Sequence, residues 1–179
     1  MERLLLCIDV QPGFLRLCQN KETFLSRVLF CSSAAKLLKI PILTTAQEPE
    51  IFGDSVPEIS QTLSFKKTTF SAWDEDSIKA ALLKINPSEI VVIGCDLFIC
   101  VFHTVVHLLK ANFKVVLLWD ATDTRYKEGV RLVLDHLSKE GCTVLPSETY
   151  FSGIIRGTGH PSFNPYIQLV EKSIVSQSQ

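Results

Sequence analysis

The chain predicts an α/β protein: a three-layer α/β/α sandwich around a parallel, Rossmann-like sheet in the order 3-2-1-4-5-6. Three observations lead there. Short runs of Leu, Val and Ile alternate with longer segments of helical period along the sequence. The runs are continuously apolar, as in strands covered on both faces, and do not show the alternation of a half-exposed sheet. Two of them end at an aspartate, Asp9 and Asp120. No internal repeat, low-complexity block or linker interrupts the pattern, so residues 1–179 read as one domain.

Taken in order, Leu4–Asp9 is the first strand. Residues 21–38 carry Phe24, Leu25, Val28, Leu29, Ala35 and Leu38 at helical spacing. Ile40–Ala46 is a second strand, entered through Pro41. Residues 47–69 contain Pro49, Gly53 and Pro57 and read as a long loop with a short edge strand at Ser64–Lys67. Asp74–Ile85 is a helix opened by acidic residues, which suit a helix N-terminus. Ile90–Gly94 is a strand, Phe98–Lys110 an apolar helix, and Lys114–Asp120 another strand. Lys127–Lys139 is a helix closed by Gly141. Thr143–Ser147 is the last strand, and Pro161–Val175 the final helix.

Composition narrows the function classes. Of 179 residues, 46% are hydrophobic and 21% charged, which is globular composition. The net charge of −1 offers no positive field for nucleic acid or an anionic membrane surface. No apolar run approaches the roughly 20 residues that span a bilayer. Of six cysteines, Cys7 and Cys95 lie inside or beside strand runs and Cys31 and Cys142 in or beside helical ones, no CxxC or zinc-type spacing occurs, and Met1-Glu2-Arg3 opens no signal peptide. These features predict a cytoplasmic protein with reduced thiols, no metal and no cofactor.

In an open parallel sheet, ligands bind beyond the carboxyl ends of the strands, where strand order reverses. Asp9 ends the first strand there, and Cys100 follows the Ile90–Gly94 strand in the first turn of the next helix. A helix N-terminus and a nearby cation lower a thiol from its free pKa of about 8.5 and activate it, although most lone cysteines are structural. Asp9 could equally cap a turn. His103 and His107 have a metal-compatible spacing but no accompanying glutamate, and read as a structural pair. Gly157-Thr158-Gly159 reads as a loop, and Asp120 as a pocket residue or a helix cap with Thr122.

Three blocks tip this balance. Ile8-Asp9-Val10-Gln11, Lys67-Thr68-Thr69-Phe70-Ser71-Ala72-Trp73 and Gly94-Cys95-Asp96-Leu97-Phe98-Ile99-Cys100-Val101 resemble the signature blocks of isochorismatase-like cysteine hydrolases. Trp119-Asp120-Ala121 is similar to the Asp-Ala that follows the next strand in that family. Glu148-Thr149-Tyr150-Phe151 and His160-Pro161-Ser162-Phe163 resemble the C-terminal pattern of its isochorismatase-domain-containing subgroup. The resemblance implies that Cys100 is a nucleophile forming a thioester, Asp9 its general base and Lys67 the stabiliser of thiolate and developing charge. Lys66 makes the lysine ambiguous by one position, and the spacing to Phe70-Ser71-Ala72 favours Lys67.

The resemblance also implies a cis peptide at Cys95–Asp96 and an oxyanion hole from the backbone N–H groups of Asp96 and Cys100. Gln11, Phe14, Phe70 and Trp73 are the expected substrate-pocket residues. Nicotinamidases of the family hold a metal through an Asp-x-His and a further His. Thr44-Thr45-Ala46-Gln47-Glu48-Pro49 has no histidine, which argues for a metal-free site. The expected activity is hydrolysis of a small amide or related C–N bond in a homo-oligomer. The alternatives are a non-catalytic scaffold retaining the triad and, with no basic-aromatic patch to support it, a ribonuclease.

Overall fold

In the computed structural model, which describes residues 3–59 and 63–175, the elements run β1 (Arg3–Ile8), α1 (Pro12–Leu15), α2 (Lys21–Leu37), β2 (Ile42–Gln47) and α3 (Pro49–Phe52). They continue with β3 (Leu63–Lys67), a 3₁₀ turn (Ala72–Asp74), α4 (Asp76–Ile85), β4 (Glu89–Gly94), a π-helical turn (Leu97–Val101) and α5 (Phe102–Lys110). The chain then forms β5 (Val115–Thr122), α6 (Val130–Lys139), β6 (Thr143–Leu145), α7 (Ser147–Ile155) and α8 (Phe163–Val175). The six strands make one parallel sheet in the order β3-β2-β1-β4-β5-β6, the order expected from sequence.

Strand alternation builds two cores. Leu5, Cys7, Val91, Ile93 and Val116 point toward α2, α7 and α8, where Phe24, Val28, Phe30, Phe151 and Tyr166 meet them. Leu4, Leu6, Ile8, Val92 and Leu117 point the other way, onto Ile78, Leu82, Val105 and Leu137 of α4, α5 and α6. Each fully buried Leu or Ile contributes about 1.5–3 kcal/mol. Sides two and three of the sandwich are therefore written in consecutive residues of one strand.

Several boundaries differ from the sequence expectation. Pro41 has no N–H to give the ladder, so β2 begins at Ile42 even though the Pro41 carbonyl accepts from Leu5 N, and Ile40 N donates to Ala35 O to close α2. The 47–69 loop contains the short helix α3 as well as β3; residues 60–62 lie outside the described residues. The acidic helix splits, with a 3₁₀ turn before α4, and the Cys100 helix begins as a π turn. The last strand ends at Leu145, and Ser147 starts a helix, α7, that the sequence reading did not anticipate. Among the described residues, no helix is long and apolar enough to cross a membrane.

Candidate active site

The switch point of the sheet lies between β1 and β4, on either side of which the chain connections run in opposite directions. Gly94 makes the close approach there possible: at φ +122°, an added Cβ would collide with Ile8 O. Asp9 follows immediately in the left-handed region, at φ 50°, a conformation Asp tolerates better than most residues. Lys67 closes β3 two strands away. Its side chain, shielded from solvent, reaches the same spot.

The structure brings Asp9, Lys67 and Cys100 together. Lys67 Nζ stands 2.8 Å from Asp9 Oδ2 and 3.6 Å from Cys100 Sγ. It also donates to Gln47 Oε1, Thr69 O and Phe70 O. These acceptors take up the Nζ donors of a side chain fully shielded from solvent. Thr45 Oγ1 donates to Asp9 Oδ1 at 2.7 Å. Oδ2 accepts no well-angled hydrogen bond and faces Lys67 as an ion-pair partner, which leaves a lone pair for the thiol proton. Lys66, by contrast, points outward and pairs with Glu50.

Cys100 is buried, the fourth residue of the π turn. Its thiol is pushed up to about 12, first by burial and then by the Asp9 carboxylate; Lys67 pulls the other way but does not prevail. This corrects the expectation of a lowered pKa: the adjacent carboxylate and the loss of water outweigh the cation and the helix start. The resting group is a thiol.

Cys95–Asp96 is a cis peptide. The Asp96 carboxylate caps the π turn through Phe98 N and accepts from Thr124 Oγ1, both at 2.8 Å, while Arg125 Nε lies 3.3 Å away. The backbone of Asp96 thereby sits at the mouth of the turn that carries Cys100.

The four expected pocket residues have different placements. Gln11 is fully buried and its amide is spent on backbone: Nε2 donates to Gln47 O and Gly53 O, and Oε1 accepts from Gln47 N. It clasps the end of β2 and offers nothing to a ligand. Trp73 turns away as well, packing edge-on against Phe113 beyond the far end of α5. Phe14 stacks on Phe52 and borders a small void with Asp96. Phe70 is 61% exposed beside Lys67.

Three residues were missed. Thr45 and Gln47 hold Asp9 and Lys67 in place, and Thr104 bridges Ala72 N to Cys100 O. Polar Thr45 and Gln47 at the end of a buried strand were the available signal. Asp120 accepts from Ser147 N and Oγ and from Arg27 Nε, so it caps α7 rather than acting with Thr122. His107 Nδ1 lies 3.1 Å from both Ser71 Oγ and Asp74 Oδ1, a structural role. Among the described residues, no three His, Cys, Asp or Glu side chains converge as a metal set.

A hollow of about 330 Å³ reaches Lys67 from the β3 edge, between Glu48, Ile51, Thr68 and Glu75. A cleft of about 670 Å³ lies on the α2 side, between Asn20, Arg27, Leu97, Trp119 and Lys127.

Known proteins give this geometry its context. Residues 3–149 match the isochorismatase domain. Isochorismatase domain-containing protein 1 of Salmo salar is 26% identical over 171 residues, covering 93% of this chain but 60% of that protein. The chain thus spans under two thirds of that relative's length. The structure of MAR1 ribonuclease from Caenorhabditis elegans superposes with a TM-score of 0.86 at 24% identity, covering 94% of this chain and 89% of the other. YcaC of Escherichia coli, an octameric hydrolase of unknown specificity, superposes with a TM-score of 0.86 at 18% identity, covering 98% and 87%. These likenesses below 25% identity bear on the fold, and the match to the domain decides the family: the chain belongs to the isochorismatase family.

Proposed function

We propose that the protein is a cysteine-dependent hydrolase of a small amide or related C–N bond. The observation that carries this is Lys67 Nζ reaching both Asp9 Oδ2 and Cys100 Sγ in a place closed to bulk water. Asp9 accepts the thiol proton as Sγ attacks the carbonyl carbon, and Lys67 balances the negative charge as it moves from carboxylate to sulfur. The backbone N–H groups of Asp96 and Cys100 are the donors for the oxyanion. Asp9 then gives its proton to the departing amine, and water cleaves the thioester to release acid and thiol.

The hollow that Lys67 lines, with Glu48, Ile51, Thr68 and Glu75, is the route for substrate; Phe70 lies exposed beside Lys67. A small molecule fits this reading better than nucleic acid, since net charge is −1. The ribonuclease name of the Caenorhabditis elegans structure therefore carries no weight for the reaction here. Six free thiols suit a reducing, cytoplasmic setting.

The test is turnover across a panel of small amides and esters, with rapid-quench mass spectrometry for the acyl-enzyme. Wild type is expected to accumulate an acyl adduct on Cys100 and to release acid, and Cys100→Ser to lose activity by at least about 10³-fold. A second reading, an oligomeric scaffold without activity, is favoured by the exposure of Trp119, Tyr126 and Leu132. Assembly in solution with no turnover and no adduct on any panel member would select it.

A further inference from the structure

Two thiols outside the triad meet beside it. Cys18 follows α1 and is partly exposed, whereas Cys95 is buried at the end of β4. They are far apart in sequence, yet both line one void of only about 10 Å³, together with Phe14, Leu17, Asp96 and Arg125. Each is also anchored: Cys18 Sγ donates to Phe14 O at 3.5 Å, and Cys95 Sγ donates to Asp9 O at 3.2 Å. The second anchor touches the residue whose carboxylate serves the triad.

We propose that Cys18 and Cys95 form a reversible, peroxide-driven disulfide that ties the segment after α1 to the turn carrying Asp96. Cys18 is the first to react, because it is the more exposed of the two. Its sulfur attacks one oxygen of hydrogen peroxide, the O–O bond breaks, and the departing hydroxide takes the Cys18 thiol proton, so that a sulfenic acid and one water result. The Cys95 sulfur then attacks the sulfenic sulfur. The S–OH bond breaks as the disulfide forms, and the Cys95 proton leaves with the hydroxide as a second water. In total, two thiols and one peroxide give one disulfide and two waters. The neighbouring Cys18 thiol, and after it burial, hold the Cys95 thiol well above its ordinary pKa, so it is a poor first target but a suitable resolving partner once Cys18 is oxidised. The bridge removes the thiol hydrogen that Cys95 donates to Asp9 O.

The experiment treats the full chain with a modest excess of hydrogen peroxide, blocks remaining thiols and maps peptides by mass spectrometry without reduction. The expected result is the loss of two hydrogens and a cross-linked peptide pair containing Cys18 and Cys95, restored to free thiols by a dithiol reductant. Cys18→Ser is expected to leave Cys95 unbridged. Cys100→Ser is expected to form the bridge as wild type does, which separates this result from the fate of the hydrolase reading. Conversion of Cys18 to sulfinic acid with Cys95 still reduced would overturn the proposal, and so would a Cys7–Cys95 bridge.

Discussion

At the scale of residues, the site depends on who holds whose proton. Burial and Asp9 keep Cys100 as a thiol at neutral pH, so resting alkylation by iodoacetamide is expected to rise steadily across the alkaline range. Removing the carboxylate in Asp9→Asn takes away one cause of the raised pKa, and alkylation at pH 8 is expected to quicken roughly tenfold even as hydrolysis is lost. Lys67→Met removes the attraction that lowers the thiol and is expected to slow alkylation. Rates read at Cys100 by mass spectrometry check both directions; slower alkylation in Asp9→Asn would sink the assignment of charges. Position along the strands drew attention to Asp9 and Cys100 in the sequence, and the resemblance of the three blocks made them candidates. The direction of the thiol shift was not legible, because it depends on Asp9 and Cys100 being neighbours in a dry site. Gln11, expected in the pocket from the Ile8-Asp9-Val10-Gln11 block, has its amide bonded to Gln47 and Gly53 backbone instead.

At the scale of elements, β1 and β4 must close on each other for Asp9 and the Cys100 turn to share a site. Gly94 permits this, since any Cβ there collides with Ile8 backbone and the φ of +122° disfavours L side chains. Gly94→Ala is therefore expected to destabilise the protein by about 3 kcal/mol or more, read as a lowered urea midpoint at unchanged m-value. A loss below about 1 kcal/mol would mean that the strands can separate at little cost. The strands were largely legible because parallel, doubly buried strands are continuous apolar runs. Helix α7 was not. It is short, contains Gly153, which weakens helical propensity, and begins directly after Pro146. Its first N–H is satisfied by Asp120 from another element, a cap that no local sequence pattern announces.

At the scale of the molecule, the end of the sheet opposite the site is fastened by Glu89. Arg3 Nε lies 3.3 Å from Oε1, Lys114 Nζ 2.7 Å from Oε2, and Tyr150 Oη donates to Oε1 at 2.7 Å. This joins β1, β4, the start of β5 and α7. Burial alone would raise the Glu89 carboxyl, but the hydrogen bonds from Lys114 and Tyr150 and the nearby charges outweigh it and hold it below the usual range. A depressed folded-state pKa stabilises at pH above the unfolded value of about 4.3 and ceases to do so as pH falls through the folded value. Glu89→Gln is expected to cost about 1 kcal/mol at pH 7, the gap from wild type narrowing by pH 3. Urea titrations at the two pH values measure it, and an equal gap at both would show that the charge is irrelevant.

Asp9, Lys67 and Cys100 sum to zero charge with the proton on sulfur, and still sum to zero once it has moved to the carboxylate. In the proposed reaction the proton transfer is thus an internal rearrangement: no ion enters, leaves or needs counterions from the medium. Because mobile ions screen only what they can surround, ionic strength has little purchase on this step. A site enclosed in this way is electrically self-contained, and the surrounding electrolyte can influence substrate arrival far more than it can influence the bond that is broken.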